Sequence, residues 1–138
     1  MWGVSMVPTT FLSIEEETYE EFDYYLKNAG ILLSEYALKL QIFRPEPVVT
    51  VGIYGANEEY CLVAQAVPRP TPGVISQLKE ILDKLRKYAP EKLRPKVILG
   101  LYIDIIYPGL EEEARKENIW LIKSNKELVP LKEVLQKL

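Results

Sequence analysis

The feature that most constrains the fold is a strand–helix–strand unit in the second half of the chain. Residues 97–103 and 119–122 are two short runs that are almost wholly apolar, as strands covered on both faces must be. Between them, Pro108 begins a helix with an acidic first turn, and Asn118 suits the left-handed residue that ends it. A strand, a helix and a second strand of these lengths form a right-handed βαβ crossover, so the sequence predicts parallel neighbouring strands and an α/β fold.

The upstream residues add an antiparallel part to this sheet. Ser13 is the expected N-cap of the first helix, and Thr71 that of the long amphipathic helix. Apolar periodicity predicts a helix at 14–29, strands at 36–43, 48–54 and 60–67, a helix at 72–88, and a last helix at 130–137. A three-stranded antiparallel meander therefore feeds the βαβ unit. We expect one domain over residues 1–138, with a mixed five-stranded sheet flanked by helices.

The composition excludes several chemistries. The 138 residues contain no histidine and one cysteine, Cys61, so neither a zinc site nor an intramolecular disulfide is expected. Neither Gly-x-Gly-x-x-Gly nor a Walker-type loop is present, so no nucleotide cofactor is expected. Apolar runs fall short of the roughly 18 residues that span a bilayer, and the start of the chain does not resemble a signal peptide. We therefore expect a cytoplasmic protein without a membrane partner.

Charge is distributed unevenly along the chain. Residues 1–67 hold three basic and ten acidic side chains, a net charge of −7, whereas residues 68–138 hold fourteen basic and ten acidic, a net charge of +4. The ordinary interpretation of the basic excess is a solvated helix face and a loop. The alternative is a weak, steeply salt-dependent nucleic-acid contact surface. Its candidate residues are Arg69, Lys79, Arg86, Lys87 and Arg94.

The order of elements and the segment Tyr107–Ile122 resemble the restriction-endonuclease-like superfamily, PD-(D/E)XK. This segment combines an acidic helix, Leu-Glu-Glu-Glu-Ala-Arg-Lys-Glu, with Asn-Ile-Trp-Leu-Ile, and the likeness is closest to small archaeal members. The resemblance covers about residues 14–125. It implies a nuclease ancestry and a tendency to form homodimers. The dominance of Glu and Lys among the charged residues also resembles the composition of thermophilic proteins.

The catalytic pattern of that superfamily is degenerate in this chain. The resemblance implies an acid on the second strand and Glu-x-Lys on the third, where two carboxylates hold Mg²⁺ and the lysine orients water. Gln65 occupies the Glu position and Val67 the Lys position. The second strand offers Thr50 or Gly52 at the facing positions, and its nearest acid is Glu46, at its start. The resemblance therefore implies a vestigial site without a cofactor, and an enzyme is not the favoured interpretation.

Three functions remain open on the sequence alone. The first is a nuclease-fold domain that has lost catalysis and serves as a binding or assembly module, with weak nucleic-acid binding or homodimerisation. The second is a divergent Mg²⁺-dependent nuclease, in which Glu46, Gln65, Arg69 and Lys79 form a rearranged site. The third is a protein-binding α/β domain unrelated to nucleases. Asp104, at the end of the buried parallel strand, is interpreted as a turn residue rather than a catalytic acid.

Overall fold

A computed structural model describes residues 13–138, which form an open sheet with helices on both faces. The elements are α1 (Ile14–Asn28), β1 (Glu35–Phe43), β2 (Pro47–Ala56), β3 (Tyr60–Ala66), α2 (Val74–Tyr88), a 3₁₀ turn (Pro90–Lys92), β4 (Lys96–Ile103), α3 (Leu110–Lys116), β5 (Ile119–Lys123), β6 (Lys126–Val129) and α4 (Leu131–Gln136). Within this range, none of the helices has the length and apolar character needed to cross a membrane.

The six strands lie side by side in chain order. The pairs β1–β2 and β2–β3 are antiparallel, β3–β4 and β4–β5 are parallel, and β5–β6 is antiparallel. The predicted α/β class, the antiparallel meander and the parallel βαβ unit are therefore confirmed. The parallel arrangement follows from α2 and α3, each of which carries the chain back across the sheet before the next strand begins.

The predicted count of five strands is wrong, because a sixth strand lies where the sequence indicated only a turn. β6 pairs with β5 across a two-residue turn in which Ser124 has a φ of 53°. It is only four residues long, too short for its periodicity to be recognised. Within it, Glu127 Oε2 accepts hydrogen bonds from the indole Nε1 of Trp120 at 2.7 Å and from the backbone N–H of Leu131 at 3.0 Å. This one carboxylate therefore joins β6 to the core and to the start of α4.

The helix termini confirm two sequence predictions and correct a third. The Ser13 hydroxyl accepts the Glu16 N–H at 3.1 Å, which is the expected N-cap bond, and Asn118 has the expected left-handed φ of 57°. Thr71, however, does not cap α2. That helix begins after Gly73, whose φ of 103° is accessible because glycine lacks a Cβ. Thr71 contributes only its carbonyl, which accepts the Val74 N–H at 3.1 Å.

The sheet buries its two faces against different helices. On one face, Phe22 of α1 packs edge-on against Trp120 of β5, with ring centroids 4.7 Å apart. Gly100 of β4 makes room for it, because a Cβ there would lie 3.1 Å from the Phe22 ring. On the opposite face, Val63 of β3 belongs to the apolar cluster that includes Leu85 of α2. Alternate residues of β3 thus face α1 and α2 in turn.

Candidate functional site

The sheet divides between β2 and β3. β2 pairs with β1 from Pro47 to Ala56, but its pairing with β3 covers only the four residues from Ile53 to Ala56. β3 continues past this point beside β4 as far as Ala66. The two strands therefore diverge, and the gap between residues 47–52 of β2 and residues 65–66 of β3 is called the fork below.

A cavity of about 450 Å³ lies at the fork, under α2. Its walls come from β2, β3 and α2. They are Pro47, Val48, Val49, Thr50, Gln65, Gln77, Glu80, Ile81 and Lys84. The cavity therefore combines apolar side chains with two amides, a hydroxyl and one pair of opposite charges.

Gln65, at the position where the resemblance implies a catalytic glutamate, bridges the fork. Its Oε1 accepts a hydrogen bond from the backbone N–H of Gly52 at 2.5 Å. A Cβ on residue 52 would lie 2.5 Å from the same oxygen, so the bond depends on a glycine there. Gln65 is half-buried. Its side chain replaces the strand–strand bond that the diverging backbones no longer make.

The other residues of the expected vestigial site do not reach this cavity. Glu46 is exposed in the turn before β2, where its carbonyl accepts the Arg44 N–H at 2.9 Å. Val67 packs against the main core, and its N–H donates to the Tyr102 carbonyl at 2.8 Å. Arg69 is exposed in the bend that follows. None of Glu46, Val67 and Arg69 lines the cavity that Gln65 borders.

Three polar residues of the cavity were missed by the sequence interpretation, and all three lie on α2. Gln77, Glu80 and Lys84 follow one another at helical spacing, and the Lys84 ammonium lies 3.5 Å from the Glu80 carboxylate. This spacing is the signal that places them on one helix face. The sequence alone does not say that this face borders an opening in the sheet.

Lys79, the residue of α2 that the rearranged site would use, points elsewhere. Its Nζ donates to Glu117, at the end of α3, with a separation of 2.5 Å. This bond raises the pKa of Lys79 and lowers the pKa of Glu117. Both side chains are partly exposed, so the pair joins α2 to α3 at the surface.

The remaining basic candidates divide into paired and unpaired residues. Arg86 lies 3.6 Å from Asp83, one turn earlier on α2, and both side chains are exposed. Lys87 lies over the ring of Tyr88, with its ammonium 5.1 Å from the ring centroid. Within the described range, neither Lys87 nor Arg69 lies within salt-bridge distance of an acid. These two offer free positive charge.

Arg94 is held inside a network, not displayed on a surface. Its Nε donates to the Asn57 carbonyl at 2.8 Å, and Nη1 donates to the carbonyls of Glu91 and Leu93. Its Nη2 reaches the Glu35 carboxylate at 3.2 Å. Only 24% of its side chain is exposed. Arg94 therefore joins the β2–β3 hairpin to the start of β1. Because its N–H groups are engaged in these bonds, Arg94 is poorly placed to contact a phosphate.

Glu21 of α1 and Tyr102 of β4 lie close together near the end of β4. Burial is the main cause that raises the pKa of Glu21, and a hydrogen bond from Tyr102 offsets part of this effect. Burial, together with the charges of Glu21, Asp104 and Glu17, raises the pKa of Tyr102 to about 12. Asp104 itself is exposed, and its N–H donates to the Pro68 carbonyl at 2.9 Å. Its backbone thus takes part in a turn.

Metal-ligating and nucleophilic groups are sparse in the part of the chain that the structure describes. No three acidic or cysteine side chains of residues 13–138 lie close enough together to hold a metal ion. Cys61 is buried, and burial raises the pKa of its thiol, which disfavours the reactive thiolate. The polar groups of the fork can therefore bind a ligand by hydrogen bonds and one charge pair.

Fold and site together define a small α/β protein with an open mixed sheet and a polar cavity where that sheet divides. The chain belongs to the family described as Domain of unknown function (DUF8196), whose profile matches residues 16–131. Comparisons with curated proteins and with solved structures produced no match.

Proposed function

We propose that this chain is a restriction-endonuclease-like domain that has lost catalysis and serves as a binding or assembly module. The observation that carries the proposal is the bond from Gly52 N–H to Gln65 Oε1. Where the resemblance implies a metal-binding carboxylate, this chain has a neutral amide, whose oxygen already accepts a backbone hydrogen bond. An amide oxygen is also a weaker ligand for Mg²⁺ than a carboxylate.

The topology supports the nuclease ancestry. An antiparallel β1–β2–β3 meander, the α2 crossover and a parallel β4 make up the order of elements on which the resemblance rests. The long amphipathic helix follows the third strand, as the resemblance requires. Gln65 lies near the end of that strand and faces the same side as Val63, which packs with α2.

The surface charges support only weak nucleic-acid binding. Of the five basic candidates, Lys79, Arg86 and Arg94 lie within salt-bridge distance of acids. Phosphate contacts would therefore come mainly from Arg69 and Lys87. Each phosphate contact adds nearly one unit to the slope of log affinity against log salt. With two contacts we therefore propose a slope of about two, which is less steep than the slope expected from all five candidates.

One cavity feature favours a second candidate, the divergent Mg²⁺-dependent nuclease. Glu80 and Lys84 bring an acid and a lysine to the fork from α2, although neither is on the strand where the resemblance would have it. A single carboxylate beside an ammonium holds a divalent cation poorly, because the ammonium repels the ion. For this reason we rank the nuclease second.

A cleavage assay separates the two candidates. The protein is incubated with Mg²⁺ or Mn²⁺ and with single- and double-stranded DNA and RNA, and we expect no cleavage. The matched variants are Glu80→Gln, within the cavity, and Glu58→Gln, an exposed residue of the β2–β3 hairpin. Cleavage that is lost in Glu80→Gln and kept in Glu58→Gln would establish the nuclease and refute the inactive module.

Rebuilding the site tests the ancestry itself. The variant Thr50→Asp with Gln65→Glu places an acid on β2 and the missing carboxylate on β3, both at the cavity wall. We expect it to bind Mn²⁺ in calorimetry, because two carboxylates then face one another across the fork. The control carries Thr50→Asn instead, which has the same shape without the charge. Equal Mn²⁺ binding by the two proteins would contradict the proposed geometry.

A further inference from the structure

We propose that the fork binds one unpaired base of a single-stranded nucleic acid, through hydrogen bonds to the edge of that base. This inference rests on the proposed function and deepens it, since it names the partner of the binding module and the group that the module contacts. It requires neither a metal ion nor cleavage, so its test is independent of the test for lost catalysis.

The first observation is a pair of free backbone groups at Thr50. The Gly52 N–H points away from β1, toward Gln65, and the N–H and C=O of Thr50, two residues earlier, point to the same edge. The pairing of β2 with β3 begins only at Ile53. The β1–β2 register shifts beyond Val49, so the free groups are confined to Thr50. One extended residue thus offers a donor beside an acceptor, which is complementary to the hydrogen-bonding edge of a nucleobase.

The second observation is that two amide side chains at the cavity keep free hydrogen-bonding groups. Gln65 accepts the Gly52 bond with Oε1. Within residues 13–138, its Nε2 donates no hydrogen bond, and the side-chain amide of Gln77 makes none. An amide presents a donor and an acceptor together, and glutamine uses this combination to contact the edge of adenine. Together with Thr50, these amides offer both kinds of hydrogen bond to a neutral ligand.

The third observation is the charge of the cavity, which favours a neutral group over an anion. Its two charged side chains, Glu80 and Lys84, lie 3.5 Å apart and offset one another. A phosphate inside the cavity would be repelled by the Glu80 carboxylate. Val49 and Ile81 supply apolar wall for the faces of a ring. The volume of about 450 Å³ lies within the range, roughly 300–1,000 Å³, of pockets that hold small molecules, and it is ample for one base.

The position of Lys87 favours a nucleic-acid strand over a free nucleoside. Lys87 follows Lys84 by three residues on α2, a separation that places two side chains next to each other on the surface of a helix. Its side chain is exposed and, in the part of the chain that the structure describes, has no acid within salt-bridge distance. A strand whose base enters the fork therefore finds a free positive charge beside the cavity for the adjoining phosphate.

The test uses a five-nucleotide DNA strand in which the central position carries adenine and the other four are abasic. One control is the same strand with all five positions abasic, which keeps every phosphate. The other control carries N6,N6-dimethyladenine, which keeps the ring and loses the N6–H donors. Each strand is titrated into the full-length protein at low salt and followed by amide NMR shifts. We expect the adenine strand to shift the amide of Thr50 and to bind about tenfold more tightly than either control, the effect of about two hydrogen bonds.

Two variants at exposed positions of α2 separate the contact to the base from the contact to the phosphate. Gln77→Leu removes the amide, and should weaken the adenine strand about threefold while leaving the affinity for the abasic strand unchanged. Lys87→Gln should weaken both strands by the same factor and lower the slope of log affinity against log salt by about 0.7, the value for one contact to a single strand. Lys132→Gln, at an exposed position of α4, is the control for the loss of one charge.

The outcomes are distinct. Equal affinity for the adenine strand and the abasic strand, or no shift of the Thr50 amide at millimolar strand, would overturn the inference. Free adenosine that binds as tightly as the adenine strand would overturn it as well, because the ligand would then be a nucleoside without a phosphate for Lys87. The cleavage assay tests the proposed function separately. A strand that binds through its base and is cut would refute the inactive module and support this inference, whereas equal affinities without cleavage would do the reverse.

Discussion

Neighbouring strands are held together by different contacts on the two sides of the sheet. From β3 to β5, every strand has a strand on each side, and the parallel part is filled by large side chains such as Trp120 and Phe22. On the other side, β2 leaves β3 after four residues, and the amide of Gln65 makes the bond that a strand would have made. The comparison teaches that the parallel side holds most of the packing, whereas the fork holds the groups that are open to a ligand.

Removing the largest side chain of the parallel side should have the largest effect on stability. Trp120→Ala deletes a fully buried indole and its bond to Glu127, so we expect a loss of about 4 kcal/mol in the free energy of unfolding. Urea denaturation measures it. Tyr24→Ala is the control, because that ring is 62% exposed. A loss at Trp120 no greater than at Tyr24 would contradict the division between the two sides.

The closed end of the β1–β2–β3 meander depends on Arg94. Arg94→Ala breaks its bonds to the Asn57 carbonyl and to the Glu35 carboxylate, and should lower the free energy of unfolding by about 2 kcal/mol. Arg86→Ala, which breaks only an exposed pair with Asp83, should change it by less than about 0.5 kcal/mol. The same denaturation experiment compares them. If Arg94→Ala left stability unchanged and weakened nucleic-acid binding, the interpretation of Arg94 as a phosphate contact would be restored.

The bridge across the fork should show coupling between its two residues. Gly52→Ala places a Cβ against Gln65 Oε1 and should cost about 1 kcal/mol, since the flexible amide can move aside only by losing its bond. In a Gln65→Ala background the clash is absent, so Gly52→Ala should then cost almost nothing. A double-mutant cycle measures this difference. Additive effects would show that Gln65 does not bridge the strands.

The smallest expected effect is a pH dependence at Glu21. Burial raises the pKa of Glu21 in the folded protein above its value in the unfolded chain. The stability linked to this group is therefore present below the unfolded pKa and is lost as the pH rises through the folded pKa. We expect Glu21→Gln to be slightly more stable than the parent at pH 7 and equal to it near pH 3.5, when unfolding is measured at both pH values. Glu20→Gln, one residue earlier and exposed, is the control for the loss of one charge from α1.

The sequence was sufficient for elements whose pattern is local. The apolar runs at 97–103 and 119–122 identified two buried parallel strands, because strands covered on both faces cannot alternate. β6 was missed because its four residues carry no decisive period, and its place depends on pairing with β5. The prediction of an N-cap at Thr71 was wrong for a related reason. The helix begins after a turn at Gly73, and the sequence Thr71-Pro72 gave no sign of that turn.

The candidate site was less predictable than the fold. Gln65 was singled out by its position on the third strand, but the oxygen's bond to Gly52 depends on where two strands part, which no local pattern encodes. In the sequence, Arg94 could not be distinguished from the exposed basic residues near it. What distinguishes it is its hydrogen bonds to Glu35 of β1 and to Asn57 of the hairpin. Gln77 and Lys84 were on a predictable helix face, although the opening beneath that face was not predictable.

Glu127 accepts two hydrogen bonds with one oxygen, and this arrangement has a consequence for local unfolding. One carboxylate oxygen receives both the indole of Trp120 and the first backbone N–H of α4, so β6 cannot separate from the sheet without also releasing the start of that helix. The amides of Lys126–Val129 and of Leu131–Gln136 should therefore exchange with deuterium together, as one cooperative unit at the C-terminal end of the fold. A helix of six residues is too short to be stable alone in water. Because α4 is attached to β6 through Glu127, we expect it to open together with that strand.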